Sequence, residues 1–413
     1  MTKLKVLLVP DYLDWILGTW AKQIVRVGTR HDYYFFPQQM FPHYQKEWDS
    51  LIERVDVIHV LNDFAFEKTK FPDSLPAVGS IHHVTDWEPL IPITQKCDRI
   101  MTVAGEWRDF LLEKGIPGDR ISLFHNGVDP SVFYPLPDKM EARRQLGISS
   151  PTPLIGYSAK FTSDTDGRKG IPILLKALKR LSETDLKFGI VITGPGWDEV
   201  VKEIKSYGIS EVYYYPFLPD RMMPVCYNAL DLYVVTSKVE GGPVPAINCM
   251  ACGVPVVATP VGIVIDYIRD GANGMVVPKE DAEATAKAIA RLLENPGLRN
   301  NIAKNGLETV ANHLTWDKTL SGIEEMYERV WAEKSGRREP SKTAPDPVKQ
   351  RKKVSAIDAY LWNLKLLKQG HTREGIRGIL EGNLGIASTE TLKIGFQKLS
   401  GLFDERSESR SPV

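Results

Sequence analysis

Short runs of β-branched and apolar residues alternate with helically spaced apolar positions from the start of the chain. Strands are expected at residues 4–10, 32–36, 56–61, 77–82, 99–104 and 121–124. Between them, 19–27 and 107–114 carry apolar residues at helical spacing, and the second run closes at Gly115 with Pro117 beyond it as a stop signal. Strands that alternate with helices imply a parallel, doubly wound sheet. A Pro-rich, charged stretch at 134–153 interrupts the rhythm and reads as a linker. The pattern restarts at 154–157, 188–193, 212–215, 232–236, 255–258 and 274–277, with helices at 171–181 and 282–293. Helical residues 314–331 are expected to finish this second unit. The fold class is therefore α/β: two Rossmann-like, doubly wound parallel-sheet domains, at 1–140 and 151–334. Beyond them, 336–353 is rich in Pro, Lys and Arg, and 354–368, 373–380 and 389–403 show helical spacing, so 335–413 reads as a basic linker and a helical tail.

Composition changes this picture in three places. At 413 residues the chain exceeds a single core, which stops growing at roughly 250–300 residues. The 52 basic and 52 acidic residues cancel, so no overall field recruits nucleic acid, and no nucleic-acid partner is expected. Any charge-driven docking must be regional. Residues 335–413 hold fifteen Lys or Arg against nine Asp or Glu, together with Tyr360, Leu361, Trp362, Leu364, Leu366 and Leu367. That mixture suits contact with a membrane surface or a protein partner through 354–403, and equally suits packing on the chain's own lobes. Four cysteines are too few for a disulfide framework and match a reducing compartment. The N-terminal apolar run is too short for a signal peptide core or a membrane span. The expected location is cytoplasmic, with peripheral attachment at the inner membrane face open through the tail.

The most informative segment is SKVEGGPVPAINCMACGVPVVA at 237–258. It reads as strand end, glycine turn, helix, second turn and buried strand. Gly241 and Gly242 let backbone approach a ligand closely, and a helix starting near Pro243 and Val244 offers free N–H groups and a positive dipole end to a phosphate. The same spacing also serves as an ordinary strand-to-helix turn in any Rossmann fold. Asp164 and Asp166 have the spacing of a metal-binding pair, but they sit in an insertion-like loop, and no metal is expected. Cys249 and Cys252 have redox-pair spacing without a second ligand pair, so they read as helix core.

This segment resembles the donor-site signature of the fourth family of glycosyltransferases, a retaining group with the two-domain GT-B fold. The segment HNGVDPSVFYP at 125–135 is similar to that family's approach to its interdomain linker, and DYIRDGANGMVVP at 266–278 to its late donor-site turn. The matches run in order from about residue 5 to residue 331.

The resemblance implies a nucleotide-sugar-dependent, metal-independent enzyme that transfers a sugar to an acceptor with retention. That acceptor is expected to be a polysaccharide or a lipid-linked glycan precursor; the nucleotide sugar is a substrate, and no cofactor is expected. It places Glu240 on the donor sugar hydroxyls and puts Asn248 where the family has a ribose-binding glutamate. Lys160 and Lys169 fall at the diphosphate cations, with Arg168 in reserve. His82 faces the donor sugar, since strand parity turns His82 and His83 to opposite faces. Gly18 lies in the loop before the first helix, near donor phosphate, and Trp15 and Trp87 are expected at the acceptor. Two rival readings share the pattern: a degenerate GT-B protein acting as a scaffold, and a nucleotide-sugar epimerase.

Overall fold

The computed structural model describes residues 3–335 apart from 13–15, 42–43, 63–65, 67–68 and 163–166. Trp15, Asp164, Asp166 and the expected tail helices therefore lie outside the described residues.

Two six-stranded parallel sheets form the molecule. In the first lobe β1 (Lys5–Val9), β2 (Asp32–Phe35), β3 (Val57–Val60), β4 (Ala77–Ile81), β5 (Arg99–Thr102) and β6 (Ile121–Leu123) lie in the order β2-β1-β3-β4-β5-β6. The second lobe has β7 (Leu154–Ser158), β8 (Gly189–Thr193), β9 (Val212–Tyr215), β10 (Leu232–Val235), β11 (Val256–Ala258) and β12 (Met275–Val276), in the order β12-β11-β10-β7-β8-β9. Every strand foreseen from the sequence is present, with ends that differ by a residue or two.

Helices cover both faces of each sheet, which is why the strands read as unbroken apolar runs. Along β1, Val6 and Leu8 enter one core and Leu7 and Val9 the other. In the first lobe, α1 (Ile16–Val27) covers one face, while α2 (Gln45–Ile52), α3 (Ile91–Lys96) and α4 (Gly105–Glu113) cover the opposite one. Helix α5 (Lys139–Gln145) follows. In the second lobe, α6 (Ile171–Ser182), α7 (Asp198–Ser206) and α11 (Ala282–Glu294) pack on one face. The other face carries α8 (Met223–Asn228), α9 (Val244–Ala251), α10 (Ile263–Tyr267) and α12 (Pro296–His313). No helix among the described residues is long and apolar enough to cross a membrane.

Two expectations need correction. The stretch at 134–153 is not simply a linker, because α5 forms inside it with Asp138 capping its N-terminus and belongs to the second lobe. Arg143 of α5, fully buried, donates to the carbonyls of Ala229, Ser150 and Thr152 and to the carboxylate of Asp231. Helix α13 (Trp316–Ser335) does not finish the second lobe either. It crosses back and buries Trp316, Leu320, Ile323, Met326, Tyr327 and Val330 against the first sheet. Burying side chains of this kind contributes roughly 1.5–3 kcal/mol each. Polar partners fix the docking: Tyr327 Oη hydrogen-bonds with His59 Nδ1 at 2.6 Å, and Tyr33 Oη donates to Glu324 at 2.7 Å. The apolar pattern of α13 gives its face but not which sheet that face meets.

Candidate active site

In a doubly wound sheet, ligands bind beyond the carboxyl ends of the strands where strand order reverses. In the second lobe that point lies between β7 and β10. The residues after β10 turn sharply through Glu240, Gly241 and Gly242 into α9, with Pro243 in the N-terminal cap position.

Glu240 is buried at this turn. Its Oε1 accepts from Lys169 Nζ and from Ser237 Oγ at 2.8 Å, and Arg168 lies 3.6 Å from its Oε2. Burial pulls the carboxyl upward, but the charges of Lys169 and Arg168 and the hydrogen bonds from Lys169 and Ser237 outweigh it and hold Glu240 below the ordinary carboxylate value. The cations are themselves held by backbone. Tyr157 Oη and Thr236 Oγ1 donate to the Lys169 carbonyl at 2.9 and 3.0 Å, and the Lys238 N–H donates to the Arg168 carbonyl. Gly170 follows in the left-handed region at φ 65°, where an added Cβ would stand 1.9 Å from the Thr236 carbonyl oxygen. Only glycine permits this close approach of the cation loop to the end of β10.

The first lobe meets the turn directly. A Cβ on Gly241 would fall 1.7 Å from the His82 carbonyl oxygen, and one on Gly242 would fall 2.6 Å from Asn126 Nδ2. His82 turns its ring edge-on to Trp20, and among the described residues its buried Nε2 has no hydrogen-bond partner. Burial, and then the neighbouring His83, push its pKa down to about 3. His83, on the other side of the strand end, shares the field of Arg168, Glu240 and Lys169. Its pKa is pushed down to about 4, chiefly by burial and next by Arg168. Both imidazoles are neutral at pH 7.

The remaining expected residues are placed as follows. Arg168 and Lys169 are the cations placed on Glu240, whereas Lys160 is exposed on the turn after β7. Asn248 is buried on α9. Gly18 is not in a loop: it lies buried inside α1, which begins at Ile16 and so absorbs the expected turn. Trp87 packs edge-on against Phe110 with Lys114 over its ring. Cys249 and Cys252 are buried in the core around α9. Of two further residues near Glu240, one was passed over in the sequence and one went unmarked. His83 was weighed beside His82 and set aside on strand parity, while Trp107, whose indole N–H donates to the Glu240 carbonyl at 3.0 Å, carries no motif.

Fold and site together define a two-lobed, doubly wound protein with a cation pair set on a buried carboxylate. The family model described as glycosyl transferases group 1 matches residues 138–309, and that described as glycosyltransferase family 4 matches residues 19–132. D-inositol 3-phosphate glycosyltransferases of Salinispora arenicola and Acidothermus cellulolyticus are each 30% identical to it. The first match spans 50% of this chain and 49% of the relative, and the second 59% and 55%. The chain thus spans about half the length of the curated relatives it matches. Among solved structures, sucrose-phosphate synthase from Thermosynechococcus elongatus is similar with a TM-score of 0.66 at 18% identity, over 80% of this chain and all of that one. The Anabaena protein HepE in complex with UDP and glucose gives 0.65 at 17% identity, over 79% of this chain and all of that one. At these identities the likeness is one of fold, and the fold is GT-B.

Proposed function

We propose that this chain transfers a sugar from a nucleotide-diphosphate sugar to a hydroxyl of an acceptor, with retention of anomeric configuration. One observation carries the reading: two adjacent cations, placed just before α6, converge on a buried carboxylate at the strand-order reversal of the second sheet. Arg168 and Lys169 neutralise Glu240. A donor diphosphate would take over these cations and leave the Glu240 carboxylate to accept hydrogen bonds from sugar hydroxyls. The orphaned Nε2 of His82 offers a further contact to the same sugar. HepE, solved with UDP and glucose, supports a nucleotide-diphosphate donor in this fold.

In the reaction, the bond from C1 of the sugar to the diphosphate oxygen breaks and its electron pair leaves with the diphosphate. The acceptor oxygen bonds to C1 on the same face, and the acceptor proton passes to the departing diphosphate. Fixed cations lower this barrier because negative charge grows on the leaving group. The protein cations supply the counter-charge, so the reading needs no divalent metal. The acceptor belongs to the polysaccharide or lipid-linked glycan class, and the curated relatives named for D-inositol 3-phosphate are consistent with a polyol hydroxyl as nucleophile.

The test is to incubate the full chain with UDP-glucose and other nucleotide-diphosphate sugars and a set of glycan and polyol acceptors. Nucleotide release and the product's anomeric signal by NMR are followed. Acceptor-dependent release with a retained configuration is expected. Donor conversion without any acceptor would identify an epimerase, and binding without turnover a scaffold.

A further inference from the structure

Three consecutive residues at the start of α4, in the first lobe, grip the second lobe at two places: Gly105 and Glu106 hold α10 and its N-terminal cap, and Trp107 holds the turn after β10. The Gly105 N–H donates to Asp266 Oδ2 at 2.8 Å, and a Cβ on Gly105 would come within 2.6 Å of Asp266 Oδ1. Glu106 Oε1 accepts from the Gly262 N–H. The Trp107 indole N–H donates to the Glu240 carbonyl at 3.0 Å. Asp266 also accepts from His125 Nε2 of the first lobe at 2.7 Å, and the His125 ring stands edge-on to Tyr267. The pattern is reciprocal: each lobe offers a carboxylate to a backbone N–H of the other. Glu240 stands at the junction. Its side chain is held by cations of its own lobe, while its main chain is held by Trp107 across the cleft.

Trp107 is 9% exposed and its ring sits in the first-lobe core with Leu111 and Ala104. The rest of that core needs only an apolar ring, so the indole nitrogen is the part that reaches across. The first-turn N–H groups of a helix lack intrahelical partners, and Asp266 answers that need only when the lobes touch.

We propose that Trp107 is a positioning residue for Glu240, and that docking of the α4 first turn couples lobe closure to correct placement of that carboxylate. The inference rests on the transferase reading above, in which Glu240 orients the donor sugar. A displacement of about 1 Å at a reacting group can cost about a hundredfold in rate, so a lost grip on the Glu240 peptide acts on turnover more than on binding of the nucleotide.

The experiment uses the full chain and Trp107→Phe, which keeps an apolar ring and deletes the donor. With UDP-glucose as donor, kcat should fall about ten- to hundredfold. The Kd for UDP, measured by calorimetry, should stay within about twofold, and the melting temperature should stay close to that of the parent. An unchanged kcat overturns the inference, as does a parallel loss of UDP binding, which would mark a structural role. If Trp107→Phe does not fold, Glu106→Ala must give the same split of kcat from Kd, or the inference fails. If the parent chain turns over no nucleotide sugar, the transferase reading fails first. The clamp is then judged by small-angle scattering: the Glu106→Ala, Asp266→Ala double variant should have a larger radius of gyration than the parent, and identical values would refute it.

Discussion

The two lobes share a six-stranded parallel sheet, yet they meet the cleft with different chemistry. The second lobe presents formal charge there: Lys169, Arg168 and Glu240 at the ends of β7 and β10. Around Glu240 the first lobe presents backbone and neutral rings instead: the His82 carbonyl against Gly241, the Trp107 indole, and two imidazoles that burial keeps uncharged, while its Glu106 carboxylate goes to the Gly262 N–H. One half can stabilise a charged leaving group, and the other fixes where that group and its neighbours sit. A division of this kind lets closure of the lobes complete the surroundings of Glu240 without setting a further unpaired charge against it, where each such charge costs several kcal/mol.

The largest effect should come from removing charge in the second lobe. Lys169→Ala should lower turnover about 100-fold or more, because one electrostatic stabiliser of the leaving group is lost. Steady-state kinetics on the folded variant, checked by circular dichroism, measure this, and near-parental turnover would remove Lys169 from the site. The neutral side of the comparison is probed by Gly241→Ala. The new methyl would stand 1.7 Å from the His82 carbonyl oxygen, so one lobe must move. Turnover should fall at least tenfold with the second lobe still folded, and a variant as active as the parent would show that the lobes need not touch here.

A pH titration separates the lobes in another way. His59 and His82 are pushed down to about 3, in each case first by burial, and His83 to about 4, against an ordinary value of 6.5. Between pH 6.5 and those values the unfolded chain holds protons that the folded chain does not. Stability therefore rises with pH across that window and is lost on acidification, by about 1.4 kcal/mol per pH unit for each histidine. Glu240 behaves differently. Its folded pKa is depressed, so its contribution is present above 4.5 and disappears only as pH falls through its lower folded value. Denaturant midpoints between pH 7 and 5 should drop in the parent, and His82→Gln should reduce the slope by about one histidine's share. An unaltered slope would mean that His82 is charged in the folded protein.

The smallest effect concerns Asn248, which stands where the resemblance places a ribose-binding glutamate. A carboxylate gains most when both ribose hydroxyls are present, so Asn248→Glu should strengthen UDP binding more than deoxythymidine diphosphate binding. The difference should be up to about tenfold, equivalent to 1.4 kcal/mol. Calorimetry with both ligands on both proteins decides it, and an equal change would show that Asn248 does not read the 2′-hydroxyl.

The second lobe's share of this site was largely legible in the sequence because it is local. Glu240, Gly241, Gly242 and the start of α9 follow one another along the chain, and Lys169 precedes the glycine whose left-handed backbone its loop needs. The strands were legible for a similar reason, since burial on both faces writes itself as apolar runs. What the first lobe contributes was not. Trp107 and Gly105 look like ordinary helix-start residues, and their partners, Glu240 and Asp266, lie more than a hundred positions away. Gly18 shows the converse: the resemblance placed it in a turn before the first helix, but it lies buried inside α1. Helix α13 was visible as a helix, yet its return to the first sheet depends on His59 and Tyr33, residues that mark nothing by spacing.

The most direct test of the division between a charged lobe and a positioning lobe is a calorimetric titration of UDP into three proteins, the parent, Lys169→Ala and Trp107→Phe, paired with kcat for UDP-glucose. Lys169→Ala should weaken UDP binding and lower kcat together, while Trp107→Phe should lower kcat with UDP affinity held. Undiminished UDP binding by Lys169→Ala, or a loss of affinity in Trp107→Phe as large as its loss of kcat, would contradict the account.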